Sequence, residues 1–152
     1  MAVRRFAMVM GVAFLLVGVL GFVPPLLTQP AAGGAQHGGE LRVTAFDGYL
    51  LGLFHVNVLH SLVHVLFGVM GIVMSRSWGS ARAYARIVAV AYAVLAVMGL
   101  VPALDTLFGL VPIHGHDVWL HAVIAAACAY FGFAAARDTT DDVTHGGTPH
   151  TV

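Results

Sequence analysis

The sequence predicts an all-α fold: an integral membrane four-helix bundle built from a duplicated helix pair, with the N- and C-termini cytoplasmic. Three observations predict it. Hydrophobic residues make up 59% of the 152-residue chain and charged residues only 9%, against about a quarter charged in a soluble domain. The apolar residues gather in four runs, and about 20 residues suffice to cross about 30 Å of hydrocarbon. Finally, one polar motif is written twice. Asn57-x-x-His60-x-x-x-His64, early in the second run, returns as His114-x-x-Asp117-x-x-x-His121 at the start of the fourth.

The first span is expected over about 6–24. Phe6 to Val23 is uninterrupted, and Pro24-Pro25 closes it. Arg4-Arg5 before it and Ala31-Ala32 after it resemble a signal peptide, but this core exceeds the roughly 7–15 residues of a signal h-region. Its likeness to the third run also argues that it is retained. An outer loop follows, flexible over 28–46 and rich in Gly, Ala, Pro and Gln at first. Glu40 to His55 mixes polar and aromatic residues, with Phe46, Tyr49 and Phe54 suited to headgroup depth. The second span, about 57–75, has an apolar run from Val58 to Met74 broken only by His60, Ser61 and His64. The third, about 84–102, has a clean core from Ile87 to Val101. The fourth, about 116–136, contains the ionisable His121 besides Cys128 and Tyr130. Residues 1–136 thus form one membrane domain, and 137–152 a polar, disordered cytoplasmic tail.

Charge placement orients the chain. There is no lysine; Arg4, Arg5, Arg76, Arg82, Arg86 and Arg137 fall on one side of the spans and Arg42 alone on the other. Basic residues favour the cytoplasmic side, so both termini are expected inside, at the plasma membrane. Without a basic face there is no case for nucleic acid.

The repeat extends beyond the polar motif. Gly52-Leu53 precedes Asn57 as Gly109-Leu110 precedes His114, and Gly21-Phe22-Val23-Pro24 answers Gly99-Leu100-Val101-Pro102. Because both halves run in the same direction, the expected pseudo-two-fold axis lies along the membrane normal.

Positions i, i+3 and i+7 share a helix face, so each motif makes one polar stripe. Lipid cannot satisfy such stripes, which must face inward. Two layers are expected, His60 opposite Asp117 and His64 opposite His121. Three readings stay open. In the first, the groups hydrogen-bond to each other and to backbone; Asn57 caps the second span, and His114 takes the same place before the fourth. In the second, His60, His64, Asp117 and His121 hold a transition metal, since an i, i+4 histidine pair presents two imidazoles to one ion. Three nitrogens and one oxygen suit zinc, copper or nickel. The His60-Ser-Leu-Val-His64 string lacks the glutamate of a hydrolytic zinc motif. In the third, His64 and His121 are axial ligands of a b-type haem. A proton relay is disfavoured, because the inner half of the spans offers no ionisable partner.

His55 and His116 are expected at the interface as snorkelling or solvated groups, and His37, His145 and His150 as bystanders. Tyr84, Tyr92 and Phe14 read as core, and Cys128 as a small buried apolar residue. No nucleophile–base pair or phosphate-binding loop appears, so an enzyme is disfavoured.

The segments Gly52 to His64 and Leu107 to His121 resemble those of an uncharacterised family of small four-span membrane proteins common in actinobacteria, over roughly residues 6–136. Its matching candidates here would be Asn57, His60, His64, Asp117 and His121. His55 and His114 depart from the family pattern, where proline and asparagine are expected. The resemblance implies a fold and a membrane location but no activity. The function expected is a non-enzymatic structural or interaction protein with an outward-facing His/Asp pocket. A transition-metal or haem-binding protein is the alternative. Expected partners are the lipid bilayer and a membrane protein or second copy of the chain.

Overall fold

Four α-helices form where the apolar runs lie: α1 (Ala2–Leu20), α2 (Val58–Met74), α3 (Trp78–Gly99) and α4 (His116–Ala129), the last continued by a π turn over Tyr130–Ala134. They belong to a computed structural model that describes residues 1–29 and 40–135. The expected tail, 137–152, and residues 30–39 of the outer loop lie outside the described residues. Three helices are long and apolar enough to cross a membrane: α1, α3, and α4 with its π turn. At 17 residues, α2 is shorter.

Boundaries follow local chemistry. Asn57 opens α2, its side chain accepting from the His60 amide at 3.0 Å. Ser77 opens α3 in the same way, accepting from the Ser80 amide at 3.1 Å. The third helix therefore starts at Trp78 rather than at 84, and Arg82 and Arg86 are helical residues. α1 ends at Leu20, short of the expected 24, because Phe22 and Val23 already bond in the tighter i→i+3 pattern that leads into the turn Pro24–Leu26.

The expectation of an all-α chain needs one correction. Three short strands, β1 (Leu27–Thr28), β2 (Gly48–Leu50) and β3 (Phe54–Val56), form an antiparallel sheet in the order β1-β2-β3. Leu27 pairs with Leu50, and Tyr49 with His55. The β2–β3 turn carries positive φ at Leu51 (54°) and Gly52 (74°), with the Leu53 amide bonded to the Leu50 carbonyl. Two successive positive-φ residues mark the primed hairpin turns, which match strand twist.

α1 and α2 pack antiparallel through close backbone approach. A Cβ on Gly11 would stand 2.6 Å from the Ile72 nitrogen, and one on Gly18 2.7 Å from the Val65 nitrogen. At the end of α3, Gly99 lies against the Ile113 backbone just before α4 and against the Val118 side chain on it. Between the pairs lie Phe14, Tyr84, Val88, Tyr92, Ala125 and Cys128, all buried. Outside, large apolar side chains are exposed on every helix: Leu16 on α1, Leu66 on α2, Val97 on α3 and Val123 on α4. At the end of the helices away from the sheet, arginines clasp helix termini. Arg4 Nε donates to the Ser75 carbonyl at 3.0 Å; Arg82 Nε and Arg86 Nε donate to the Gly132 carbonyl at 2.9 and 2.8 Å.

Candidate functional site

The polar stripe of α2 turns inward. His60, Ser61 and His64 are buried, while Leu62, Val63, Leu66, Val69 and Val73 on the same helix are exposed. α4 does the same with Asp117 and His121, which are 2% exposed each. The two stripes meet: one ligand atom each from His60, Asp117 and His121 lies within 4.8 Å of the others, in a cluster buried on every member. Asp117 Oδ2 and His121 Nδ1 are both buried there without a hydrogen-bond partner.

Backbone geometry presets the two α2 imidazoles. His60 Nδ1 lies 3.2 Å from the His55 carbonyl, and His64 Nδ1 lies 3.1 Å from the His60 carbonyl. A carbonyl only accepts, so each Nδ1 carries the proton and each Nε2 presents a lone pair. Donation of the second ring nitrogen to a carbonyl is also how metal-binding histidines are oriented.

Of the expected layers, His60 and Asp117 share the cluster. His121 joins them there. Its ring lies 6.4 Å from that of His60 and packs edge-on against Tyr92 at 4.9 Å. His64 packs against His60 and against Phe14, whose ring stacks on Tyr92.

Asn57 is the cap that its position implies, and more. Fully buried, it also donates from Nδ2 to the Val43 and Leu110 carbonyls, at 2.9 and 2.8 Å. His114 is no such cap. The residue before α4 is Gly115, at φ 67° and without a side-chain cap bond. The His114 carbonyl still accepts from the Asp117 amide, at 3.4 Å, but its ring turns elsewhere. Its Nε2 lies 3.2 Å from His55 Nδ1 instead.

His55 is a correction to the solvated reading. It is buried, stacked on Tyr49 at 4.7 Å, and its Nε2 lies 2.9 Å from Asp47 Oδ1. Asp47, His55 and His114 thus form a second polar chain above the buried cluster, joined to it through the His55 carbonyl that His60 holds. The signal for it was the turn Leu50-Leu51-Gly52-Leu53, which sets the register that stacks Tyr49 on His55. His116 is exposed.

Long apolar helices with outward-facing aliphatic side chains and inward-facing polar ones define a membrane protein. Residues 4–134 match the family model described as Domain of unknown function (DUF4383), and the chain belongs to that family. No curated protein and no solved structure matches the chain.

Proposed function

We propose that this chain is a four-span plasma-membrane protein, built from a duplicated helix pair with both termini cytoplasmic, that binds a divalent transition metal in an outward-facing polar layer. Its role is binding rather than catalysis. One observation carries the metal reading: the buried convergence of His60, Asp117 and His121, with Asp117 Oδ2 and His121 Nδ1 unpartnered. A buried carboxylate without a compensating charge is costly, and among the described residues no arginine pairs with Asp117. A dication bound by two imidazoles and this carboxylate removes that cost. Around a tetrahedral ion with bonds of about 2.0–2.2 Å, ligand atoms stand roughly 3.3 Å apart, so binding draws the three side chains inward by rotamer adjustment. His64, stacked beside His60, is the fourth candidate. Phe14 packs against His64 and Tyr92 against His121, and the Phe14 and Tyr92 rings stack on each other, which favours a small ion over a haem macrocycle between the two histidines.

The fourth crossing is supported by the inside-out face of α2, apolar outward and polar inward. The duplication is supported by matched geometry as well as by the motif. Leu51 and Gly52, at φ 54° and 74°, answer Phe108 and Gly109, at 61° and 85°. The bond from the Gly52 amide to the Tyr49 carbonyl answers that from the Gly109 amide to the Thr106 carbonyl. At the other end, Arg4 on Ser75 answers Arg82 on Gly132. Each partner in these pairs is displaced by the same offset as the sequence repeat on its own helix.

A second reading, a purely structural polar core, is favoured by Asn57, which ties α2 to two other segments. Elemental analysis separates the two. Purified in mild detergent without chelators and equilibrated with zinc, the wild type should retain about one metal per chain. Asp117→Asn and His121→Ala should lose it, whereas His116→Ala should not. A wild type that retains no metal, or a His121→Ala variant that retains as much, would refute the metal reading and leave the structural one.

A further inference from the structure

At the end of α1 and α2 away from the polar cluster lies a cavity of about 590 Å³ lined by Arg4, Arg5, Met8, Val9, Ser75 and Arg76. We infer that it is a binding site for the phosphate headgroup of an anionic phospholipid. Three arginines converge on one cavity, and guanidinium is the side chain suited to phosphate oxygens. Arg4 is held in place by its Nε bond to the Ser75 carbonyl, which leaves its terminal nitrogens for a ligand. The carboxylates of the described residues, Glu40, Asp47, Asp105 and Asp117, belong to the sheet side of the molecule. Among the described residues the cavity is therefore lined by positive charge alone.

The second helix pair shows what the first lacks. Where Arg4 holds Ser75, Arg82 holds Gly132. There, however, Arg86 adds its own bond to the Gly132 carbonyl and lies 5.2 Å over the Phe133 ring. In the first pair the places of Arg86 and Phe133 are taken by Met8 and Arg76. One cation has crossed from α1 to the chain segment after α2, and no aromatic ring fills the gap. The same arginine clasp is closed in one pair and open in the other.

The choice of a lipid over a soluble phosphate rests on the wall. Met8 and Val9 are exposed, and Val9 continues into exposed Val12 and Leu16 at i, i+3 and i+7. That spacing makes one apolar stripe leading from the cavity along α1. A headgroup in the cavity would lay an acyl chain along it. Basic pockets at the ends of membrane helices take lipid headgroups by this combination of charge and depth.

The test is thermal unfolding of the full chain in detergent, titrated with short-chain phosphatidylglycerol, phosphatidylcholine of the same chains, and inorganic phosphate. Phosphatidylglycerol should raise the melting temperature; the other two should not. In Arg5→Gln/Arg76→Gln the apparent affinity for phosphatidylglycerol should fall about 30-fold, as two surface cations imply. Arg42→Gln, on the sheet side, should respond as wild type does. Should the double variant elute as aggregate, Arg76→Gln alone gives the same comparison with a smaller loss. An equal response to phosphatidylcholine, a response to phosphate alone, or an undiminished response in the folded variant would each overturn the inference. So would an equal loss in Arg42→Gln.

Discussion

Asn57 does three things with one side chain. Its Oδ1 caps α2, and its two Nδ2 bonds reach the segment before the hairpin (Val43) and the segment before α4 (Leu110). Loss of a cap costs about 1 kcal/mol, and each buried carbonyl left without a donor about 1–3 kcal/mol. Asn57→Ala should therefore destabilise the protein by about 3–7 kcal/mol, read as a lower melting temperature in detergent. Asn57→Asp keeps the capping oxygen but loses both donors. It should remain well below wild type; full recovery with aspartate would mean that the two carbonyl bonds contribute nothing. The cap was legible in the sequence, because asparagine before an apolar run is a helix start. The other two bonds were not, since they join residues far apart in the chain.

At the scale of elements, the α1–α2 contact depends on glycine. A Cβ on Gly18 would press on the Val65 and Ser61 backbone, and neither can yield without separating the helices. Gly18→Ala should cost about 1–3 kcal/mol through overpacking. Gly79, in the first turn of α3, would bring its Cβ within 4 Å of nothing. Gly79→Ala should gain about 0.4–1 kcal/mol by restricting the unfolded chain. Denaturant titration of both variants checks the pair, and equal effects would contradict the packing described. The helices were legible because long apolar runs announce themselves. The start of α3 was not, because Arg82 and Ser80 interrupt its first turns; only the Ser77 cap marked it. The strands escaped because two or three residues give no period-2 pattern. His55 was misread for the same reason: its burial comes from the hairpin register, not from its neighbours in sequence. The start of α4 was obscured by Gly115, whose positive φ breaks the parallel with Asn57.

For the whole molecule, the decisive question is how the chain threads the bilayer. In a Cys128→Ala background, Leu51→Cys places a thiol at the hairpin tip and Ser77→Cys one between α2 and α3. An impermeant maleimide applied to intact cells should label the first and reach the second only after lysis. Labelling of both from outside would deny α2 its crossing; the reverse pattern would invert the orientation. The polar cluster was legible as a set of residues sharing inward faces, and its three members are among the four candidate ligands the spacing offers. Whether His121 meets His60 or His64 depends on the relative depth of two helices, which spacing along each does not determine.

The length of α2 has a consequence for the surrounding lipid. Its 17 residues rise about 25 Å at 1.5 Å each, roughly 5 Å less than an average hydrocarbon core, while the 22 residues of α3 exceed it. If all four helices cross, as proposed, the molecule is thin on one flank and thick on the other. The bilayer must dip where α2 faces it or the longer helices must tilt, and such mismatch sorts proteins among membranes of different thickness. A dip on the α2 flank, at the end that carries the hairpin, would bring headgroups and water down towards His60.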